Sequence, residues 1–251
     1  MKQNFASDVL YHLVGFRRPD DDDANFDILC TILKSMELRT NEVGGQRGGS
    51  TTRRDPNRPV IKGEPAEQTV VCLCDIPFDS LPFHARRYGR FGVGVSRSVV
   101  AQWGTRPAIY IPTSKRGYGC WGNRFADEVK TVLSGLDHFF PDTPAIRSRP
   151  AGSPATDAQD AVDEASTLIS RDLQSFIKLW DVDLPDGHPE NFYLEREWRK
   201  LANLPLAPSL REIVAPQKYH DELKAIIASL EVGNRYSITG PISYMELPET
   251  F

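Results

Sequence analysis

The chain has 251 residues, of which 40% are hydrophobic and 25% are charged, and its formal net charge at pH 7 is −4. This is the composition of an ordinary globular protein, and the acidic balance argues against a general nucleic-acid coat protein, which would be basic. There is no run of about eighteen apolar residues, and the N-terminal residues lack the apolar core of a signal peptide. We therefore expect a cytoplasmic protein with no membrane span.

The first predicted elements are a strand and a helix. Residues 9–14 form an apolar run that predicts the strand, with His12 in its middle. This histidine is either a core residue bonded to the backbone or a ligand-binding residue at a sheet face. Residues 25–38 repeat apolar side chains at helical spacing, which predicts a helix that Asp23 or Asn25 caps.

A long segment with almost no large apolar side chains follows. Residues 40–68 contain several glycines, prolines and arginines, which predicts a mobile loop. Its arginine-rich part, residues 47–62, is either a disordered basic loop or a segment that closes over an anionic ligand such as nucleic acid.

The next strand carries two of the four cysteines. Residues 69–74 are apolar and predict a buried strand, and Cys72 and Cys74 share one of its faces. Their spacing is poor for zinc, so we expect buried reduced thiols and no metal site.

A short helix and a glycine-containing strand come next. Ser80 and Gly89 bound the predicted helix, on which His84 and Tyr88 lie four residues apart on one face. In the strand at 91–96, Gly92 and Gly94 leave one face nearly bare, which is typical of a place where a ligand or another backbone comes close.

The remaining pattern predicts a single mixed α+β domain over 1–251, with a helical insertion at about 121–182. The further predicted elements are strands at 107–111, 210–214 and 236–239 and helices at 98–103, 123–140, 156–180 and 217–230.

A Glu-x-Glu pair stands in the stretch that we interpret as one continuous strand over 191–200. Alternation places Glu195, Glu197 and Arg199 on a common face. Two carboxylates that close together repel, so each requires a nearby cation or ligand. The face is therefore either a surface with ion pairs or the floor of a ligand cleft.

Several stretches together resemble the AbiGi-type abortive-infection family, an antitoxin family of phage resistance. They are Tyr11-His12 with the following predicted helix to Met36, the segments at 71–77, 84–96 and 104–111, and the segment at 192–199 with its Glu-Arg-Glu-Trp-Arg sequence. The resemblance implies a role in anti-phage defence, with a toxin or a phage or host macromolecule as partner.

A more distant resemblance is to ADP-ribosyltransferases of the DarT-like kind, which implies a split β-sheet around an NAD cleft. It implies that His12 contacts the ribose, that Tyr88 lines the nicotinamide pocket, that Glu197 stabilises the oxocarbenium-like transition state and that Glu195 orients the acceptor. The implied NAD-binding residues are His12, Tyr11, Tyr88, His84, Gly92 and Gly94, and no metal is expected.

Two functions follow as alternatives. The chain is either a defence protein whose ADP-ribosyltransferase-like domain binds or cleaves NAD, or a non-catalytic antitoxin or regulator that binds a toxin or nucleic acid. A nuclease or hydrolase built on the two carboxylates is a weaker alternative, because no further acids with metal-ligand spacing accompany them.

Overall fold

The computed structural model describes residues 7–16, 18–40, 70–113, 128, 131, 174–185, 188, 191–232, 238 and 240–247. Backbone contacts divide the chain into a first unit of Met1–Gly48, Thr69–Ala108 and Tyr193–Phe251, and a second unit of Gly49–Gln68 and Ile109–Phe192. The predicted loop at 40–68 lies outside the described residues from residue 41 onward. So do the predicted strand at 236–239, apart from residue 238, and most of the predicted helical insertion.

A seven-stranded mixed sheet is the framework of the first unit, which confirms the α+β fold class. Its order is β11-β10-β4-β1-β3-β8-β5, and all neighbours are antiparallel except β10 and β11. The strands are β1 Val9–Val14, β3 Val71–Cys74, β4 Phe91–Ser96, β5 Arg106–Pro107, β8 Glu197–Lys200, β10 Leu210–Val214 and β11 Ser243–Met245.

Two smaller strand pairs complete the β-structure of the described residues. β2 (Glu37–Leu38) and β9 (Leu204–Pro205) form an antiparallel pair in the first unit. In the second unit, β6 (Ile109–Thr113) and β7 (Ile177–Asp181) pair in parallel.

The helices are α1 Asp22–Ser35, α2 Leu81–Tyr88, α3 Arg97–Gln102, α4 Gln174–Phe176 and α5 His220–Val232. Short 3-10 helices cover Phe78–Ser80, Phe192–Glu195 and Gln217–Tyr219. The predicted cap of α1 is wrong. Asp21 caps the helix, since its carboxylate accepts the Ala24 N–H at 3.1 Å and so satisfies one of the first backbone donors.

The two faces of the main sheet bury different layers. Leu10 and Val93 point to one face and pack with α1 and α5, so we call it the α1 face. Tyr11 and Val214 point to the other and pack with Leu81 and Ala85 of α2, so we call it the α2 face. Both faces of β1 and β4 are covered, which explains why the alternation in β1 is imperfect in sequence.

The predicted continuous strand at 191–200 is wrong in its first half. Residues Phe192–Glu195 form one 3-10 turn, Arg196 has φ of 43°, and only Glu197–Lys200 is extended. A left-handed residue interrupts the alternation, so the side chains before and after Arg196 do not share faces in the predicted way.

Two other boundaries also differ from the prediction. Of the helix predicted at 156–180, Gln174–Phe176 is helical as α4 and the end is the strand β7, while residues 156–173 lie outside the described residues. A short, mainly apolar run such as Ile177-Lys-Leu-Trp180 is compatible with both the helical and the strand periodicity. Here the run pairs with β6 and is therefore a strand. The strand predicted at 107–111 is two strands, β5 and β6, with a break at Ala108.

Candidate functional site

Glu195 is the centre of a buried polar cluster on the α2 face. Its carboxylate accepts a hydrogen bond from the Tyr88 hydroxyl and forms an ion pair with Arg87, whose Nη1 lies 3.4 Å from Glu195 Oε1. The residue is only 8% exposed. Burial, and then the charge of Glu195, raise the pKa of Tyr88, so the phenol stays protonated and donates to the carboxylate.

Aromatic rings enclose Tyr88 on α2. The His84 ring stacks with it at 6.5 Å between centroids, and Phe16 stacks with it at 5.6 Å. Burial lowers the pKa of His84, although Glu195 acts in the opposite direction. The predicted common face of His84 and Tyr88 is therefore confirmed, and it points toward the buried carboxylate.

The second carboxylate, Glu197, forms an ion pair with Arg199 on the same strand. Arg199 Nε lies 2.8 Å from Glu197 Oε1, and Arg199 Nη2 lies 3.4 Å from Oε2. Arg199 is fully buried and Glu197 is 4% exposed. The predicted common face of these two residues is confirmed, and the cation that the sequence required for Glu197 is supplied from within β8.

Two further ionisable groups lie on the α2 face. Cys74 pairs in register with Glu197 on one side and with Tyr11 on the other. Burial, and then the charge of Glu195, raise the pKa of the Cys74 thiol to about 12, so the thiol is protonated at neutral pH. Tyr11 donates its hydroxyl hydrogen to Glu212 Oε2 at 2.7 Å, and burial raises its pKa above the ordinary range.

His12 lies on the opposite face of the sheet from these groups. It alternates with Tyr11 along β1 and stands in register with Val93, so it points to the α1 face. Its Nδ1 lies 2.8 Å from the carbonyl oxygen of Cys72, which accepts the hydrogen bond, and burial lowers its pKa. The structure thus brings Tyr88 and Glu195 together and separates His12 from them.

The bare face of β4 is occupied by the protein itself. A Cβ atom on Gly94 would lie 2.7 Å from Val9 Cγ1 and 3.0 Å from Glu212 Cβ, and one on Gly92 would collide with the His12 carbonyl oxygen. The expected close approach at these glycines is therefore confirmed for a neighbouring backbone and neighbouring side chains. NAD binding by Gly92 and Gly94 stays a prediction.

Within the described ranges, no three His, Cys, Asp or Glu residues are grouped closely enough to hold a metal ion. None of the helices in those ranges combines the length and the apolar character needed to cross a bilayer.

One surface beside the cluster was not predicted from the sequence. The Arg87 guanidinium carbon lies 5.4 Å from the Phe16 ring centroid and 5.3 Å from that of Tyr88. Phe16 is 59% exposed and Phe83, four residues before Arg87 on α2, is 45% exposed. The signal in the sequence was the spacing of Phe83 and Arg87, but the position of Phe16 depends on the turn after β1.

A comparison with protein families gives one match, to the family described as "Putative abortive phage resistance protein AbiGi, antitoxin", over residues 55–222. No curated protein and no solved structure matches the chain. The matched span is more than half of the chain, and it includes α2, β4 and the segment with Glu195, Glu197 and Arg199. The chain therefore belongs to the AbiGi family of abortive phage resistance proteins.

Proposed function

We propose that this chain is a non-catalytic antitoxin of abortive phage resistance that acts by binding a toxin protein. The observation that carries the proposal is the state of the two central carboxylates. Glu195 is buried against Tyr88 and Arg87, and Glu197 is buried against Arg199. Both negative charges are balanced inside the protein, as in a structural polar cluster.

The alternative is that the chain cleaves NAD, as the distant resemblance to ADP-ribosyltransferases implies. That chemistry requires a carboxylate aimed at the positive charge that develops on the ribose. Glu197 would have to separate from a guanidinium with no exposed surface, which is costly for a buried pair. His12, the implied ribose contact, faces the other side of the sheet. These two features favour the binding function over NAD cleavage.

The first arm of the test measures toxin neutralisation. The product of each gene that flanks the gene for this chain is expressed in a bacterial host, alone and together with this chain. We expect one product to arrest growth when alone, to be tolerated when this chain is present, and to co-purify with it. If neither flanking product is neutralised or bound, the antitoxin proposal is refuted.

The second arm measures nicotinamide release from NAD by the purified protein, with and without lysate from phage-infected cells, beside the Glu197→Gln variant. The proposal predicts no release in any condition. Release that disappears in Glu197→Gln would identify an NAD-consuming enzyme and overturn the non-catalytic part of the proposal.

A further inference from the structure

We propose that protonation of His84 exchanges one partner of the Glu195 carboxylate. In the structure Tyr88 and Arg87 bind Glu195. After protonation, the charged imidazole binds the carboxylate in place of Arg87, and the Arg87 guanidinium moves into solvent. We call this change the partner exchange. It concerns the response of the molecule to pH and does not depend on which protein the chain binds.

The His84 ring is buried and has no hydrogen-bond partner in the described part of the chain. The residue is 9% exposed, and its contacts there are with the rings of Phe83, at 5.8 Å between centroids, and Tyr88, at 6.5 Å. Most buried polar side chains are hydrogen-bonded. An imidazole in this position is therefore available for a new partner, and it gains a second N–H donor when it is protonated.

Glu195 is the anion that acts on this ring. Burial lowers the pKa of His84, the charge of Glu195 raises it and the charge of Arg87 lowers it. His84 and Arg87 lie three residues apart on α2 and so belong to neighbouring turns of one face. One buried carboxylate therefore faces a cation that it already holds and a ring that can become a second cation.

The other ionisable groups near α2 do not supply a competing free charge to the buried ring. Those on α2, on the 3-10 helix before it and on the α2 face of the sheet are Arg86, Asp79, Tyr11 with Glu212, Cys74, and Glu197 with Arg199. Arg86 and Asp79 are exposed. Burial raises the pKa values of Tyr11 and Cys74, so both are uncharged at neutral pH. Glu197 is paired with Arg199.

Arg87 is the cation that leaves. Its Nη1 lies 3.4 Å from Glu195 Oε1, whereas a charge-assisted N–H···O bond is usually about 2.7–2.9 Å long. The Arg87 side chain is 30% exposed, and its long stem lets the guanidinium reach water. Two cations beside one buried carboxylate repel each other, so the exposed one separates at the lower cost. The proton comes from solvent, and one cation replaces another at Glu195.

The contact between Arg87 and Phe16 reports the exchange. The Arg87 guanidinium carbon lies 5.4 Å from the Phe16 ring centroid and 5.3 Å from that of Tyr88. A guanidinium that moves into solvent loses both contacts. Nuclear Overhauser cross-peaks between the Arg87 side chain and the Phe16 ring should therefore disappear as His84 becomes charged.

The test is an NMR titration of the full-length chain from about pH 7.5 to about pH 4.5, a range that includes the ordinary histidine pKa. The His84 ring signal, assigned with His84→Gln, and the Arg87–Phe16 cross-peaks are followed in the same samples. In wild type we expect the cross-peaks to lose about threefold or more of their intensity, with the same midpoint as the His84 signal. In His84→Gln they should keep their intensity, because glutamine does not titrate.

The matched control is His220→Gln. The His220 ring lies on α5, on the other side of the sheet, and its Nε2 is already 2.8 Å from the Ala215 carbonyl oxygen. This variant should lose the cross-peaks as wild type does. Far-UV circular dichroism at each pH verifies that the variants are folded.

Three results would overturn the partner exchange. They are wild-type cross-peaks that stay constant while His84 titrates, an equal loss of cross-peaks in His84→Gln, and a His84 ring that remains neutral down to about pH 4.5. The wild-type comparison of the two midpoints needs no variant, so it decides the question even if His84→Gln does not fold.

Discussion

Replacing Arg199 with methionine tests whether the Glu197–Arg199 pair is structural. The side chain has no exposed surface, and its Nε and Nη2 contact the Glu197 carboxylate at 2.8 and 3.4 Å. Removing one partner of a buried pair typically costs about 3–5 kcal/mol, because the other charge keeps its desolvation penalty. Methionine fills much of the volume that the arginine side chain leaves, so most of the loss in unfolding free energy comes from the unpaired charge of Glu197. With a urea slope of about 1–3 kcal/mol/M, we expect the unfolding midpoint to fall by about 1 M or more.

The matched control is Lys224→Met, which removes a surface pair. Lys224 Nζ lies 3.0 Å from Asp221 Oδ1, and the two side chains are 54% and 98% exposed. Its midpoint is expected to stay near wild type, since solvent screens such pairs. The double variant Glu197→Gln/Arg199→Met should recover part of the lost stability, because no unpaired carboxylate remains at position 197. Equal midpoints for Arg199→Met and Lys224→Met would refute a structural role for the Glu197–Arg199 pair, and the pair would then no longer count against a catalytic Glu197.

Three other expectations concern the same sheet. Burial lowers the folded-state pKa of His12 and His84, so below about pH 6.5 the unfolded chain binds more protons than the folded chain. The free energy of unfolding should therefore decrease as the pH falls from about 7 to 5, by up to about 1.4 kcal/mol per pH unit for each histidine. For His12→Gln, the urea midpoint should change less steeply with pH across this range than it does for wild type. An equally steep pH dependence would contradict a lowered pKa of His12 in the folded protein. Cys74 is half-buried and its thiol pKa is raised to about 12, so it should react with iodoacetamide much more slowly in the native protein than after unfolding, as mass spectrometry of the labelled peptides would show. Equally rapid labelling of the native and the unfolded protein would contradict the raised pKa. Gly92→Ala should destabilise the fold by about 1–3 kcal/mol because the new methyl group meets the His12 carbonyl oxygen, and a midpoint equal to wild type would mean that β1 and β4 separate easily.

Much of the framework could be predicted from local sequence. The strands at 9–14, 91–96 and 210–214 are confirmed, because each is a short segment in which at least half of the residues are apolar. The helix between Ser80 and Gly89 is confirmed as well, and Gly89 ends it at φ of 76°. In these segments the local preference and the tertiary environment agree.

The candidate site was less accessible to sequence reasoning. Alternation through 191–200 could not reveal that Arg196 adopts a left-handed conformation, since arginine carries no local signal for it. The hydrogen bond between Tyr88 and Glu195 joins residues 107 positions apart, and it depends on which face of the sheet α2 covers. His12 and Tyr88 lie on different faces of the sheet because α2 covers the face to which Tyr11 points. That arrangement depends on strand register and on packing, which alternation within one strand does not reveal.

The order of strands in the main sheet has a consequence for synthesis on the ribosome. β1 and β4 are translated early, but β4 takes its other neighbour, β10, from the last part of the described chain, and β8 also comes after the whole second unit. Nascent chains therefore carry an unpaired β4 edge while residues 109–192 are still being made. Such non-local pairing folds slowly and exposes strand edges to aggregation. The polar cluster around Glu195 and Glu197 therefore cannot assemble before the second unit has been translated, because both residues follow that unit in the chain.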